Sequence, residues 1–376
     1  MASSISKSLV KTFFKLKGSN NVHTTQTRWS SITCQVEKLE SRGLLRVSGS
    51  DAISFLQGIV TNDIRHLEQH CQSLYTMFLN TKGRVLYDSI IYKTKQEDTF
   101  FLECDKEAML DLEKHLKMYK LRKKVAIDSV DDEFQLWALF NPSAVVTPGS
   151  DVINIKQEVV VPCSTPSYEN TTVDKYLSNI AISNQSLVYV DPRLSKLGTR
   201  VISPRNEDVV ERLRVSGIDK KNSDFTYRMF RYKLGVGEGI YELPTGKCFP
   251  LEANCDYLHG VSFHKGCYIG QELTARTHHT GVVRKRLMPL VLKTQVESAE
   301  IPLDAPIEPV TGEKKPAIGK LRGLERDCAI GLMRITEALE TIKFKIGNIE
   351  GETFRPFWWP QELPKDRVDL GSGKRS

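Results

Sequence analysis

Residues 265–272, Lys-Gly-Cys-Tyr-Ile-Gly-Gln-Glu, place a cation, a thiol, an amide and a carboxylate close together along the chain. Glycines lie on both sides of the thiol, and a residue without a Cβ lets the backbone adopt a positive φ or lets a ligand come close. We therefore expect Cys267 to lie on a turn or at a strand end, with a helix beginning near Gln271. Lys265 and the backbone N–H groups of such a turn would lower the pKa of the thiol and favour the thiolate.

Several roles for Cys267 follow from its residue type alone. A thiolate can act as a nucleophile or as a soft metal ligand, whereas an uncharged cysteine is often a small buried apolar group. A nucleophile needs a base beside it in space, and His259 and His264 are close to Cys267 only along the chain. A closed zinc site needs four converging ligands, usually in short paired spacings. The cysteines and histidines between residues 248 and 279 lack those spacings, so a thiolate shared with a partner's metal cluster is favoured over an autonomous metal site.

The composition is that of a globular protein with more than one domain. The chain has 376 residues, of which 40% are hydrophobic and 26% are charged, and this length predicts two or three domains. No apolar run approaches the roughly 18 residues that a membrane-spanning helix requires. The eight cysteines are scattered and include no CxxC pair, which favours free thiols in a reducing compartment over a disulfide framework.

The N-terminal segment has the composition of a mitochondrial presequence. The first 36 residues contain no Asp or Glu, and residues 1–30 carry five cations among apolar residues near helical spacing. This pattern is typical of a mitochondrial transit peptide, and the alternative is a disordered basic tail. Removal of residues 1–30 lowers Lys plus Arg from 53 to 48 and leaves Asp plus Glu at 46, so the net charge falls from +7 to +2. That charge gives no argument for binding to nucleic acid.

Hydrophobic periodicity and turn residues predict the elements around these segments. The turn 80–83 joins two predicted strands into a hairpin, and the predicted helix 105–119 has Met109, Leu112 and Leu116 on one face. Short strands are expected after residue 286, with an aromatic segment, 354–360, that packs on them or contacts a partner. Strands are predicted at 43–47, 74–79, 84–92, 99–104, 134–140, 187–190, 197–201, 287–292, 316–321 and 328–333, and helices from Ala52, over 105–119 and within 223–238.

Residues 114–124 contain six lysines or arginines and no acid. The pattern indicates either a docking site for an anion, such as a folate glutamate tail or an acidic partner, or a solvated helix end.

The octapeptide 265–272 resembles the signature of the YgfZ/GcvT-like folate-binding-protein family. Residues 55–63, 248–254 and 260–263 resemble the same family. The resemblance implies an α+β fold with a GcvT-like arrangement of three subdomains around a central channel. It implies a folate-binding region of two interleaved subdomains over 37–285 and a small C-terminal β-barrel over 286–363, and the polar tail 364–376 is predicted to be disordered.

Together with the presequence, the resemblance implies a mitochondrial matrix protein that acts late in making [4Fe-4S] clusters with A-type assembly proteins. Cys267 would supply one thiolate to a [2Fe-2S] cluster shared with such a partner. The residues expected to shape this site are Lys265, Gly266, Tyr268, Gly270, Gln271, Glu272 and Arg276. The residues expected to line a folate site or the central cavity are Asn62, Asp63, Asp88, Arg193 and Glu252. The alternative for Asn62 and Asp63 is a helix-ending turn, and the alternative for Arg193 is structural ion pairing.

Two enzymatic alternatives stand beside this assembly role. One is a tetrahydrofolate-dependent aminomethyltransferase like the glycine-cleavage T-protein, which has paired aspartates after the equivalent glycine-rich turn. This chain has Tyr87 and Asp88 there, and a phenol cannot replace a general acid/base carboxylate without a large change in working pKa. The other is a thiol enzyme in which Cys267 is the nucleophile and a histidine is the base. A non-catalytic assembly factor is favoured over both.

Overall fold

A computed structural model describes residues 34–69, 71–144, 183, 185–215, 224–297, 300–311 and 315–360. The predicted presequence 1–30, the predicted tail 364–376 and Cys163 lie outside these residues. Within them, no helix is both long and apolar enough to span a bilayer.

The described residues form fourteen strands and seven α-helices. The strands are β1 Gln35–Lys38, β2 Arg42–Ser48, β3 Ser73–Leu79, β4 Val85–Lys93, β5 Thr99–Asp105, β6 Ala126–Ser129, β7 Phe134–Phe140, β8 Leu187–Val190, β9 Thr199–Pro204, β10 Lys285–Val296, β11 Pro306–Pro309, β12 Gly319–Arg334, β13 Lys343–Ile346 and β14 Ile349–Thr353. The helices are α1 Ala52–Gln57, α2 His66–Gln69, α3 Met109–Lys120, α4 Val209–Val215, α5 Tyr227–Leu234, α6 Gln271–Thr280 and α7 Ile335–Thr341.

The first sheet has the order β3-β4-β5-β2-β6, and all its strand pairs are antiparallel. The predicted hairpin is confirmed as β3 and β4, whose turn is closed by the Asn80 N–H donating to the Arg84 carbonyl at 2.9 Å. Helices α1 and α3 cover one face of this sheet through a buried apolar cluster that includes Leu56, Leu112 and Leu116. The amphipathic pattern of 105–119 therefore predicted the buried face of α3 correctly.

The second sheet has the order β1-β7-β9-β8. Strand β1 pairs with β7, whereas the next strand along the chain, β2, belongs to the first sheet. The strand predicted at 197–201 instead begins at Thr199, because Ser195–Leu197 forms a 3-10 turn and Gly198 leaves it with a φ of 86°. A Cβ on Gly198 would lie 2.1 Å from the Leu139 carbonyl oxygen, so the close packing of this turn on β7 requires a glycine.

Helix α5 is shorter than the predicted segment 223–238. It begins after Thr226, whose hydroxyl accepts a hydrogen bond from the Met229 N–H at 3.1 Å. It ends at Gly235, which adopts the left-handed conformation with a φ of 75°. An N-cap threonine and a C-terminal glycine are ordinary helix boundaries, and here they set the helix length.

Strands β10 to β14 close into a barrel with the order β10-β12-β11-β13-β14. The sequence predicted two strands at 316–321 and 328–333, but the structure has one long strand, β12. Its register against β10 shifts near Arg326, which has a φ of 58°, so an irregularity kinks the strand without ending it. The aromatic segment packs inward: Trp358 is buried and its indole N–H donates to the Leu234 carbonyl at 2.8 Å.

A network of buried ion pairs connects the two sheets. Arg42 on β2 lies 3.1 Å from Asp88 on β4 and 2.9 Å from Glu103 on β5. Arg200 on β9 lies 2.8 Å from Glu238, which follows α5. Buried charges are stable only when they are paired and hydrogen-bonded, so this polar centre fixes how the two sheets meet. The α+β class with a C-terminal barrel is confirmed.

Candidate functional site

Cys267 lies on an irregular segment at the surface, immediately before helix α6. Its side chain is exposed, and α6 begins at Gln271, as the sequence predicted. The other described cysteines are less accessible: Cys34 is partly buried, and the remaining five are buried, namely Cys71, Cys104, Cys248, Cys255 and Cys328. Burial raises the pKa of the Cys248 thiol to about 12 and that of the Cys34 thiol to about 11. Among the described residues, Cys267 is therefore the cysteine whose thiol is accessible for the predicted chemistry.

The loop 58–63 supports the segment that carries Cys267. The Lys265 ammonium donates to the carbonyls of Val60 and Asn62, both at 2.7 Å. The Ile269 N–H donates to the Gly58 carbonyl at 3.1 Å. These bonds attach the residues before and after Cys267 to the loop 58–63, which lies about 200 residues earlier in the sequence.

The same loop also holds the residues that lead into the motif. The Thr61 hydroxyl donates to the Gly260 carbonyl at 2.6 Å, and the Asn62 side-chain amide donates to the His259 carbonyl at 2.6 Å. The Ser262 N–H donates to the Thr61 carbonyl at 3.1 Å. Asn62, expected at a folate site or cavity, thus braces the 259–269 segment, and its side-chain Oδ1 also accepts a hydrogen bond from the Asp63 N–H at 2.9 Å.

Lys265 is a mostly buried cation. Burial lowers the pKa of its ammonium to about 7, although the neighbouring Asp63 carboxylate opposes that shift. The ammonium lies 5.0 Å from the centre of the Tyr268 ring, and Tyr268 itself packs into the main apolar core.

The two glycines of the motif have different surroundings. Gly270 has a φ of 76°, and a Cβ there would lie 2.2 Å from the Asn80 carbonyl oxygen, so the hairpin turn β3-β4 packs directly on the start of α6. The Gln271 side chain, at the first residue of α6, accepts a hydrogen bond from the Tyr268 N–H at 3.0 Å and so ties the helix to the motif. A Cβ on Gly266 would meet no atom within 4 Å, so the space beside Cys267 is open.

The outer residues of α6 are polar. Glu272 and Arg276 lie one turn apart with 4.0 Å between their charged atoms, and both side chains are mostly exposed. Near the end of the helix His278 stacks on Phe263, with 3.7 Å between ring centres and an angle of 9° between ring planes. In the described part of the chain, no cluster of three or more His, Cys, Asp or Glu side chains is arranged to hold a metal ion.

Two of the residues expected at a folate site or cavity, Asp88 and Arg193, have buried charged partners. Asp88 accepts from the Gly239 N–H at 2.9 Å and pairs with Arg42, and Arg193 lies 2.7 Å from Glu238. Both therefore belong to the buried ion network, which agrees with the ion-pairing alternative for Arg193. Arg42 and Glu238 were not predicted, because they lie beside glycines and carried no sequence signal beyond their charge.

Asp63 and Glu252 lie elsewhere. The hydrogen bond from the Arg65 guanidinium lowers the pKa of the Asp63 carboxyl to about 2. Glu252 lines a cavity of 560 Å³ between α6 and residues 249–252 and 280–285, and burial raises the pKa of its carboxyl. Of the residues that line this cavity, the sequence analysis had singled out Glu252 alone, because the walls come from three separate segments.

Comparisons with known proteins agree with the fold. Residues 24–147 match the GCVT N-terminal domain family, and residues 284–361 match the CAF17 C-terminal β-barrel domain family. The fold resembles that of the glycine cleavage system aminomethyltransferase T from Bartonella henselae, with a TM-score of 0.62 and 14% identity over 86% of each chain.

Curated relatives identify the family. The mitochondrial iron–sulfur cluster assembly factor IBA57 of Mus musculus is 34% identical over 86% of this chain and 85% of its own length. The protein of the same name from Homo sapiens is 32% identical over the same shares of the two chains. The IBA57 homolog of Dictyostelium discoideum is 33% identical over 74% of this chain and 68% of its own length. The resemblance carried by residues 265–272 is thereby confirmed, and the chain belongs to the IBA57 family of GcvT-like proteins.

Proposed function

We propose that this chain is a mitochondrial iron–sulfur cluster assembly factor that acts late in [4Fe-4S] maturation. In this proposal Cys267 supplies one thiolate to a [2Fe-2S] cluster that it shares with an A-type assembly protein in the matrix. The observation that carries the proposal is the exposed thiol of Cys267 on a segment braced from both sides. The names of the curated relatives and the predicted presequence support the compartment.

A shared cluster follows from the number of accessible thiols. A [2Fe-2S] cluster is usually held by four cysteine thiolates. In the described residues Cys267 is exposed, Cys34 is partly buried, and the other cysteines are buried. This part of the chain therefore offers one exposed thiol, which is fewer than such a cluster needs, and we infer that a partner supplies further ligands. A cluster bound in this way lies at an interface and is cargo that can leave with the partner.

The surroundings of Cys267 suit a partner that approaches from solvent. The open space at Gly266 lets a cluster come close to the backbone. Arg276 is exposed on the first turns of α6, where its charge can offset that of an anionic cluster. The bracing by the loop 58–63 keeps the segment in place, and a preformed ligand loses less conformational entropy on binding.

The experiment is an anaerobic mixture of this chain with a [2Fe-2S]-loaded A-type assembly protein. Visible circular dichroism and the size of the complex are recorded for the unaltered chain, for Cys267→Ala and for the control Cys34→Ala. We expect a new cluster spectrum in a stable heterodimer with the unaltered chain and with Cys34→Ala, and neither spectrum nor heterodimer with Cys267→Ala. An undiminished cluster spectrum with Cys267→Ala would show that Cys267 is not a ligand of the cluster.

The aminomethyltransferase alternative finds less support in the site. The transferase needs a carboxylate that can accept a proton, and Asp88 is engaged by Arg42 at 3.1 Å and by the Gly239 N–H at 2.9 Å. Both oxygens of Asp88 therefore already accept hydrogen bonds from the protein. Tetrahydrofolate binding stays a prediction of the family resemblance, and no catalytic step is assigned to these residues.

A further inference from the structure

Helix α3 exposes large apolar side chains on the side that faces away from the protein. Its inward face carries Leu112 and Leu116, which are fully buried. On the outward side Leu110 is 69% exposed and Met118 is 61% exposed, and Leu121, just past the helix end, is 85% exposed. Of the eight large apolar side chains exposed among the described residues, three therefore fall within residues 110–121.

Leu121 occupies a backbone position that favours glycine. Its φ is 50° and its ψ is −118°, and the Lys123 N–H donates to the Lys120 carbonyl at 3.0 Å. These angles and this hydrogen bond define a type II′ turn with Leu121 at the first central position, where glycine predominates. A leucine there is strained, and its exposed side chain adds almost nothing to the apolar core. The side chain is thus available for a contact outside the chain.

Cations surround these apolar side chains. Residues 109–124 contain six Lys or Arg and two acids, which leaves a net charge of +4. The acids pair locally, Asp111 with Lys114 at 3.3 Å and Glu113 with Lys117 at 2.5 Å. Asp51 also lies at this surface, where its carboxylate accepts from the Lys124 N–H at 2.7 Å. The positive charge therefore exceeds the acids available to neutralise it. The cations are Lys114, Lys117, Lys120, Arg122, Lys123 and Lys124.

We propose that this surface, called the basic ridge and made of the outward side of α3 and residues 121–124, docks on an anionic phospholipid surface. The stems of Lys114 and Lys117 can lie along apolar neighbours while their ammonium groups reach the lipid phosphates. Leu110, Met118 and Leu121 would enter the boundary between headgroups and acyl chains. At 1.5 Å per residue, residues 110–121 span roughly 16 Å, so the helix would lie along the membrane plane.

The arrangement of the apolar side chains favours lipid over an acidic protein. They stand singly along the ridge with lysines between them, as the order Leu110, Lys114, Met118 shows. A folded partner would need a separate pocket for each protruding side chain, because protein interfaces are closely packed at their core. A fluid bilayer accommodates separate protrusions without preformed pockets. The ridge belongs to α3 and Cys267 precedes α6, so this inference does not depend on the proposed cluster function.

The test is co-sedimentation of residues 31–376 with vesicles. This fragment contains every element described above and lacks the basic segment 1–30, which would bind anionic vesicles by itself. One set of vesicles is phosphatidylcholine alone, and the other contains two parts phosphatidylcholine to one part phosphatidylglycerol. We expect binding to the anionic vesicles only, and weaker binding as salt rises because salt screens the attraction.

Two glycine variants distinguish an effect on vesicle binding from an effect on the stability of the fold. Leu121→Gly relieves the strained turn and removes the apolar tip, so it should raise the thermal unfolding midpoint and weaken binding to the anionic vesicles roughly tenfold. Ile342→Gly is the matched control, because Ile342 is 50% exposed, has a φ of 58° and ends helix α7 on the barrel. It should leave vesicle binding unchanged.

Three results would overturn the inference. These are equal binding to both kinds of vesicle, no binding to either, and equal losses with Leu121→Gly and Ile342→Gly. An acidic protein that the unaltered fragment binds and Leu121→Gly loses, without any vesicle binding, would assign the basic ridge to a protein partner instead.

Discussion

Alanine substitutions at the two glycines beside Cys267 should have very different effects on stability. Gly270 has a φ of 76°, and an alanine in the left-handed region costs about 1–2 kcal/mol. The new Cβ would also lie 2.2 Å from the Asn80 carbonyl oxygen, so the hairpin turn or the start of α6 must move, which typically costs about 1–3 kcal/mol. Gly270→Ala should therefore reduce the free energy of unfolding by about 2–5 kcal/mol.

Gly266→Ala is the matched variant, because its Cβ would meet no atom within 4 Å. Its effect on the free energy of unfolding should stay within about 0.5 kcal/mol. Urea unfolding of residues 31–376, followed by tryptophan fluorescence, gives the midpoint for both variants and for the unaltered fragment. A lower midpoint is expected for Gly270→Ala alone. Equal midpoints for the two variants would refute the reasoning that the turn 80–83 packs against Gly270 in solution.

Two further predictions concern buried charges. Burial lowers the pKa of Lys265 to about 7, so the charge of its ammonium opposes folding below that pH. Between pH 7 and pH 10 the folded state loses this proton while the unfolded state keeps it. The free energy of unfolding should therefore rise over this range. Urea unfolding across this range should show a smaller rise for Lys265→Met, and parallel curves for the two proteins would contradict the assignment. Arg42→Met leaves Asp88 and Glu103 without their buried guanidinium, so we expect a loss of about 3–5 kcal/mol, measured as a lower urea midpoint. A loss below about 1 kcal/mol would mean that water or other donors replace the guanidinium.

Local patterns predicted the elements that position the site. The alternation and turn residues of 74–92 identified the β3-β4 hairpin, and the glycines around Cys267 indicated a turn followed by a helix. Each of these signals is contained within a few residues, so one sequence is enough to find it. The same holds for α3, where Leu112 and Leu116 face inward as predicted.

Contacts between distant segments could not be predicted from the sequence. Nothing local to Asn62 or Lys265 indicates that these residues meet, because a hydrogen bond to a carbonyl depends on backbone position and not on residue type. Arg42 and Asp88 were missed as members of the ion network, since both are buried although charged residues are usually exposed. For the basic cluster 114–124 the sequence left two alternatives, and the exposed apolar side chains of Met118 and Leu121 are the observation behind our proposal for this surface.

The bracing of Cys267 by the loop 58–63 also sets the order in which the site can form. Asn62 and His259, whose hydrogen bond belongs to this bracing, are 197 residues apart. Contacts between such distant residues form slowly, because the entropy of closing the intervening loop is lost before the contact stabilises the chain. We therefore expect the contact between the loop 58–63 and the 259–269 segment to form late in folding. A partly folded chain would then offer a cysteine without the site that is built around it.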